Sequence, residues 1–281
     1  MNTATAPVDY LLHLADNALV LGQRNAEWCG HGPILEEDLA LANHSLDLLG
    51  QARLLYQHAA SNINTDAALA RRFAHLQGAR TQGAVTEDTL AYFRDVAEFR
   101  NFTLLELPHH GPLAGPAAGD RDYATTITRN FLYGALMVLW WERLQTSSDR
   151  QLAAIAAKSL KEARYHLRHA GDWLVRMGDG TAQSHERAQA ALAHLLPCTQ
   201  EFWTGCEAEA QAVQNGSGVV TAALRPDWDA LVDETLAEAC LQRPPAGGYV
   251  TQGKHGVHSE HMGFLLAEMQ SLARAHPQAV W

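Results

Sequence analysis

The chain is predicted to fold as an all-α helical bundle. Apolar residues recur at helical spacing along nearly its whole length, and alternating strand-like runs are almost absent. Its 21 glycines and 10 prolines gather in short stretches that punctuate the periodic segments. With 281 residues, 47% of them hydrophobic, it can bury one large core, and the short linkers point to one domain over 1–281. No fixed-period repeat and no low-complexity segment interrupts the pattern.

The elements follow in order. A first helix over 8–27 is stopped by Gly30-His31-Gly32-Pro33, which aims a second over 36–59. A third is expected over 87–107, ended by the loop Pro108–Gly119 (PHHGPLAGPAAG). Helices over 122–146 and 149–176 form an antiparallel hairpin through the tight Ser147-Ser148-Asp149 link. The second of these is the clearest, with Leu152, Ile155, Leu160, Ala163, Leu167, Ala170 and Leu174 in one stripe and Ser148 or Asp149 as N-cap. Helices over 183–212, 227–240 and 258–275 complete the chain, separated by Gln214–Gly218 and Pro244–Gly248.

Net charge is −10, from 21 basic and 31 acidic residues, the opposite of a nucleic-acid binder's balance. Cys29, Cys198, Cys206 and Cys240 lack zinc spacing and read as buried thiols of a reducing cytosol. Asp9, His13 and Asp16 interrupt the first apolar stretch, which argues against a signal peptide. The longest apolar run, Phe131–Trp141, is too short to span a bilayer. A cytoplasmic protein is expected.

Two segments carry the functional argument. Glu98-Phe99-Arg100-Asn101 and Glu162-Ala163-Arg164-Tyr165 each look like the Glu-x-x-His pair of a carboxylate-bridged di-iron bundle with its histidine replaced. The fold expected is therefore a ferritin-like helical bundle with additional N- and C-terminal helices. Asn101 and Tyr165 are poor substitutes for a neutral imidazole. On the second helix Asn43, His44, Asp47 and Gln51 share a stripe, flanked by Leu39 and Leu46 on one side and Leu41, Leu48 and Leu55 on the other. A helix so apolar is expected to be buried, its polar stripe facing either solvent or a wet interior. Folding the later hairpin about 147–148 sets Glu162 level with Tyr133 and Gly134, where no ligand exists, with Glu142 about two turns away. Asp47, Glu98 and Glu162 are too few to hold two irons, so the site reads as degenerate and no metal is expected.

Two alternatives stay open. His44 beside Asp47 and His166 beside Glu162 could serve as alternative ligands of a self-sufficient metal oxidoreductase, since i,i+3 and i,i+4 pairs share a face. Lys158, Lys161, Arg164 and Arg168 form a basic strip that could receive the phosphates of a coenzyme A thioester, or simply be a solvated face. Glu106-Leu107-Pro108-His109 matches the ligand motif literally, but Pro108 places it at a helix end. His255-Gly256-Val257-His258-Ser259-Glu260-His261 resembles a metal cluster, yet its Gly and Ser suggest a turn and a helix cap.

Three blocks add a family resemblance: LGQRNAEWCGHGPILEEDLALANHSLDLLGQ at 21–51, KSLKEARYHLRHAGDWLVRMGDGT at 158–181 and GKHGVHSEHMGFLLAEMQ at 253–270. They resemble the C-subunit family of the ring-1,2-phenylacetyl-CoA epoxidases, over nearly the full length. The resemblance implies a multicomponent monooxygenase of aerobic phenylacetate catabolism. In it a homologous A subunit holds the di-iron centre, and a flavin and iron–sulfur reductase supplies electrons. It further implies that this chain has a structural role, with no cofactor and no catalytic residue of its own. Phenylacetyl-CoA at the shared interface, and a homodimer of the isolated chain, are further associations it leaves open.

Overall fold

The computed structural model describes residues 4–76, 83–111, 121–245, 247–277 and 279. Its helices are α1 (Val8–Ala26), α2 (Leu35–Thr65), α3 (Ala67–Arg72), α4 (Glu87–Tyr92), α5 (Thr103–Glu106), α6 (Tyr123–Leu144), α7 (Arg150–Gly178), α8 (Ala182–Leu195), α9 (Glu207–Gln214), α10 (Arg225–Glu238) and α11 (Glu260–Ala275). Short 3-10 turns lie at Val96–Glu98, Leu196–Trp203, Thr221–Leu224 and Gly253–His255. Among the described residues the only β pairing is one bridge between Gln252 and Val257. The chain divides into two compact units, Met1–Glu106 with Gln252–Trp281, and Leu107–Thr251.

In the first unit α1 and α2 pack as a long hairpin. Nearly every side chain of α1 is buried, polar ones included. Gly22 lets α2 approach closely, because a Cβ there would lie 3.3 Å from the Leu48 Cβ. Helix α2 runs to Thr65, beyond the expected end, and Asp66 then caps α3 by accepting from the Ala68 and Leu69 amides. Leu41, Leu48 and Leu55 are buried as expected, but Leu39 and Leu46 stand in solvent. The apolar circumference of α2 is thus only partly covered.

The helix expected over 87–107 is three short pieces. No proline or glycine breaks it. Side chains of α1 break it instead, by taking backbone groups that a helix would have satisfied internally. Asp16 accepts from the Arg100 amide at 2.8 Å, and Asn17 Oδ1 from the Phe102 amide at 2.8 Å. The Arg100 carbonyl in turn meets His13 Nδ1 at 2.5 Å.

In the second unit α6 and α7 form the expected antiparallel hairpin, with Asp149 capping α7 through the Gln151 and Leu152 amides. Its register differs from the expectation. Gly134 lies against Leu167, not Glu162, and Gly171 rests on Phe131. The helix expected over 183–212 is interrupted at Leu196–Trp203, where Pro197 cannot donate to the preceding turn. Trp228 on α10 donates its indole N–H to the Leu132 carbonyl at 3.1 Å, tying α10 to α6. Cys198 and Cys206 are half-buried and Cys29 and Cys240 exposed, so the expectation of four buried thiols fails. The loop expected over 108–119 lies mostly outside the described residues.

Candidate functional site

A charged, fully buried interior lies in the first unit, built on α1. Asp16 is fully buried, and both of its oxygens are saturated. Oδ1 accepts from the Tyr56 hydroxyl at 2.5 Å and from Arg94 Nη2; Oδ2 accepts from Arg94 Nη1 at 3.0 Å and from the Arg100 amide. Arg94 is equally committed. Its Nε donates to the Leu90 carbonyl at 2.6 Å, Nη1 also to the Glu98 carbonyl at 3.1 Å, and Nη2 also to the Tyr56 hydroxyl at 3.0 Å. The guanidinium stacks 4.2 Å from the Phe99 ring centre. Burial works against its charge, but Asp16 and Tyr56 outweigh burial and hold its pKa above the ordinary value. Burial, with Asp16 beside it, pushes the Tyr56 phenol well up, so it stays a hydrogen-bond donor.

A second buried carboxylate closes the same unit. Glu106 accepts from the Asn101 amide nitrogen at 3.0 Å and the Ser259 backbone amide at 2.5 Å, and pairs with His258 Nδ1 at 2.8 Å. The other His258 nitrogen meets the Phe99 carbonyl at 3.1 Å. Both ring nitrogens thus face acceptors, which favours the imidazolium. Burial disfavours that charge, but Glu106 and the carbonyl prevail, and the His258 pKa is raised. Arg24 adds two bonds to the Glu106 carbonyl, at 3.0 and 2.7 Å. His13 behaves oppositely: burial, with the Lys254 charge nearby, lowers its pKa to about 3. It therefore stays neutral and donates Nδ1–H to the Arg100 carbonyl.

Chemically this arrangement is a set of interlocked charge pairs that joins α1 to the segment 94–106 and to the start of α11. Asp16 meets four donor contacts and Glu106 three, all from groups of the protein. Among the described residues no three His, Cys, Asp or Glu side chains gather as a metal ion would need. The donor set present does not fit a di-iron pair.

The residues singled out by spacing fall in different surroundings. Asp47 is half-buried and His44 buried on α2, with Gln51 buried one turn further. Glu98 lies in the 3-10 turn, where it accepts from the Asp95 amide at 2.7 Å and pairs with the exposed His75 at 2.5 Å. It is not on a long helix facing Asp47, as the expected third helix required. Asn101 is buried against Glu106. On α7, Glu162 pairs with Lys158 at 3.4 Å, Tyr165 is exposed, and His166 is buried with its ring 6.2 Å from that of Tyr165. Arg164 pairs with Glu142 at 3.2 Å, closer than the expected register allowed. Arg168 stacks over Tyr165 and lines a groove of about 500 Å³ between α7 and α10, with Arg176, Asp172 and Glu238. Lys161 is exposed on the same helix. The literal motif at Glu106 pairs with His258 of the C-terminal histidine run, while His109 contacts Thr126 at 2.6 Å and Arg129 at 3.0 Å.

Spacing overlooked Asp16, Arg94 and Glu106 as a set. The available signal was the polar run His13, Asp16, Asn17 inside an otherwise apolar helix. In the sequence it served only to argue against a leader segment.

The profile of the phenylacetic acid catabolic protein family matches residues 1–281. The chain belongs to this family. It is 42% identical over 281 residues, the whole of both chains, to the C subunit of the 1,2-phenylacetyl-CoA epoxidase of Escherichia coli (strain K12). The three sequence blocks therefore identified their relatives correctly. Proteins of the family are ferritin-like helical bundles, so the fold class expected from the sequence stands. No described helix is long and apolar enough to cross a membrane.

Proposed function

We propose that this chain is the non-catalytic C subunit of a multicomponent epoxidase acting on phenylacetyl-CoA, and that it stabilises a homologous catalytic A subunit. The observation that carries this reading is the fate of the two buried carboxylates. Asp16 is saturated by Arg94, Tyr56 and a backbone amide, and Glu106 is engaged at both oxygens by Asn101, His258 and a backbone amide. Groups held this way rigidify a scaffold. The similarity to an epoxidase C subunit supplies the pathway and the substrate class.

In this reading the partner's di-iron centre carries the oxygen chemistry, and one atom of dioxygen enters the aromatic ring to give the epoxide. A reductase component delivers the electrons. The chain holds no cofactor of its own. Of the cations expected to meet coenzyme A phosphates, Lys158 and Arg164 face Glu162 and Glu142. The proposed contact therefore narrows to Lys161, exposed on the same helix, and Arg168 at its groove.

The test is reconstitution. The purified chain is expected to contain no stoichiometric iron after loading and to leave phenylacetyl-CoA unchanged. Mixed with the catalytic subunit and the reductase, it should co-purify with the former and raise its activity. An iron-loaded chain that oxidises phenylacetyl-CoA with reductase alone would refute the proposal.

A further inference from the structure

Helix α10 packs on both α6 and α7, and between α7 and α10 a groove of about 500 Å³ stays open. Each wall is one face of a helix. Leu167, Gly171 and Val175 come from successive turns of α7, and Leu231 and Thr235 from α10, all of them half-buried. The buried ring of Phe131 forms the floor. From Leu167 to Val175 the groove runs about 12 Å, a little over two helical turns.

Gly171 opens the middle of this groove. A glycine inside a helix costs about 1 kcal/mol relative to alanine. Internal packing does not demand one here, because the nearest described atom to a Cβ would be in the Phe131 ring, at the ordinary contact distance of 3.8 Å. What a larger side chain would take is the space above Phe131.

The two rims differ in charge. Arg168 and Arg176 stand exposed on the α7 side, stacked 5.6 and 5.4 Å from the ring centres of Tyr165 and Trp173, with Asp172 between them. Lys161 and Arg164 continue the basic row towards the start of the helix. On the α10 side stand Glu238 and, one turn before it, Glu234, both exposed.

The geometry points to a docking site for an amphipathic helix of a partner protein. That helix is at least two turns long, acidic along the flank facing α7 and basic along the flank facing α10. The inference is independent of the epoxidase reading and concerns this face of the chain alone. Two adjacent helix faces with a small residue between them form the kind of groove that a third helix fills with its own ridge. Apolar side chains at i, i+4 and i+7 of the incoming helix reach Leu167, Phe131 and Leu231. The rims select this occupant over others. A polyanion would meet Glu234 and Glu238, and a coenzyme phosphate at Arg168 would use the outer edge of one rim and leave the apolar floor empty. Opposite rims also fix direction: turned end for end, the same helix would set acid against acid and base against base.

Selection of helical peptides from a displayed random library on the purified full-length chain, with G171L as counter-target, tests this. Enriched peptides should carry apolar residues at i, i+4 and i+7, with acids on one flank and bases on the other. A synthetic copy of an enriched peptide should bind G171L at least about tenfold more weakly, because the leucine fills the space above the floor. R168E/R176E and E234K/E238K should each weaken it about three- to tenfold. Their helical circular dichroism should be unchanged, since all four positions are exposed. Copies with both flanks acidic or both flanks basic should bind less tightly than the mixed original. No enrichment on the wild type would overturn the inference, as would binding that survives G171L or ignores either charge reversal. A preference for the all-acidic copy would overturn it too, reducing the groove to an anion site on α7.

Discussion

Asp16 accepts hydrogen bonds from Arg94, Tyr56 and Arg100 in a volume without solvent, so removing a partner is not a local loss. Arg94→Ala would leave the carboxylate buried and uncompensated, at a cost of about 3–5 kcal/mol. The chemical-denaturation midpoint should fall accordingly. Replacing both members, Asp16→Leu with Arg94→Met, should recover part of that loss, because no orphan charge remains. A double variant as unstable as Arg94→Ala would show that the pair is worth more than its mutual neutralisation.

Two buried histidines give stability opposite pH dependences. The pKa of His258 is raised in the folded chain, so its contribution is fully present below the unfolded value near 6.5 and is lost as pH rises through the folded pKa. That of His13 is lowered to about 3, so its neutral form is favoured and stability is lost as pH falls from about 6.5 towards 3. At about 1.4 kcal/mol per pH unit, His13 alone sets an upper bound of roughly 5 kcal/mol on that acid loss. Urea midpoints measured across pH should therefore peak near 6.5. His258→Gln should flatten the alkaline side and His13→Asn the acid side; profiles unchanged by either would refute the assignment.

At the scale of elements, the segment 87–107 shows tertiary contacts overriding local pattern. Its periodicity is helical, yet Asp16, Asn17 and His13 offer its backbone other partners, and the chain bends to meet them. Asn17→Ala would strand the buried Phe102 amide and cost about 1–3 kcal/mol by thermal denaturation. The substitution should leave α1 itself helical by circular dichroism. Gly178 poses a steric case at the end of α7. A Cβ there would stand 2.1 Å from the Ala239 carbonyl oxygen, so Gly178→Ala should destabilise by roughly 1–3 kcal/mol through displacement of the α10 terminus.

For the whole molecule, the proposed role makes stability depend on company. A partner that binds only the folded chain stabilises it by mass action, about 2.7 kcal/mol at a hundred times its dissociation constant. The thermal midpoint of this chain should therefore rise when the catalytic subunit is added, and the rise should depend on concentration. A midpoint indifferent to that addition would count against a stabilising association.

The sequence determined a good deal by itself. Periodicity placed α1, α2, α6, α7 and α11 within a few residues, except that α2 runs six residues past its expected end, because long amphipathic helices with caps at Asp149 and breaks at Gly30–Pro33 are local facts. The three blocks identified the family. The absence of imidazoles at Asn101 and Tyr165 was legible as residue identity alone. Tertiary structure decided the rest. It decided that Glu98 turns outward to His75, that Glu106 finds His258 152 residues away, and that Asp16 and Arg94 neutralise each other across 78 residues. It also decided that Leu39 and Leu46 face water while Leu41 and Leu48 do not. Spacing shows which residues share a face of one helix; only the packing of other helices fixes which face is covered and which distant side chain completes a hydrogen bond.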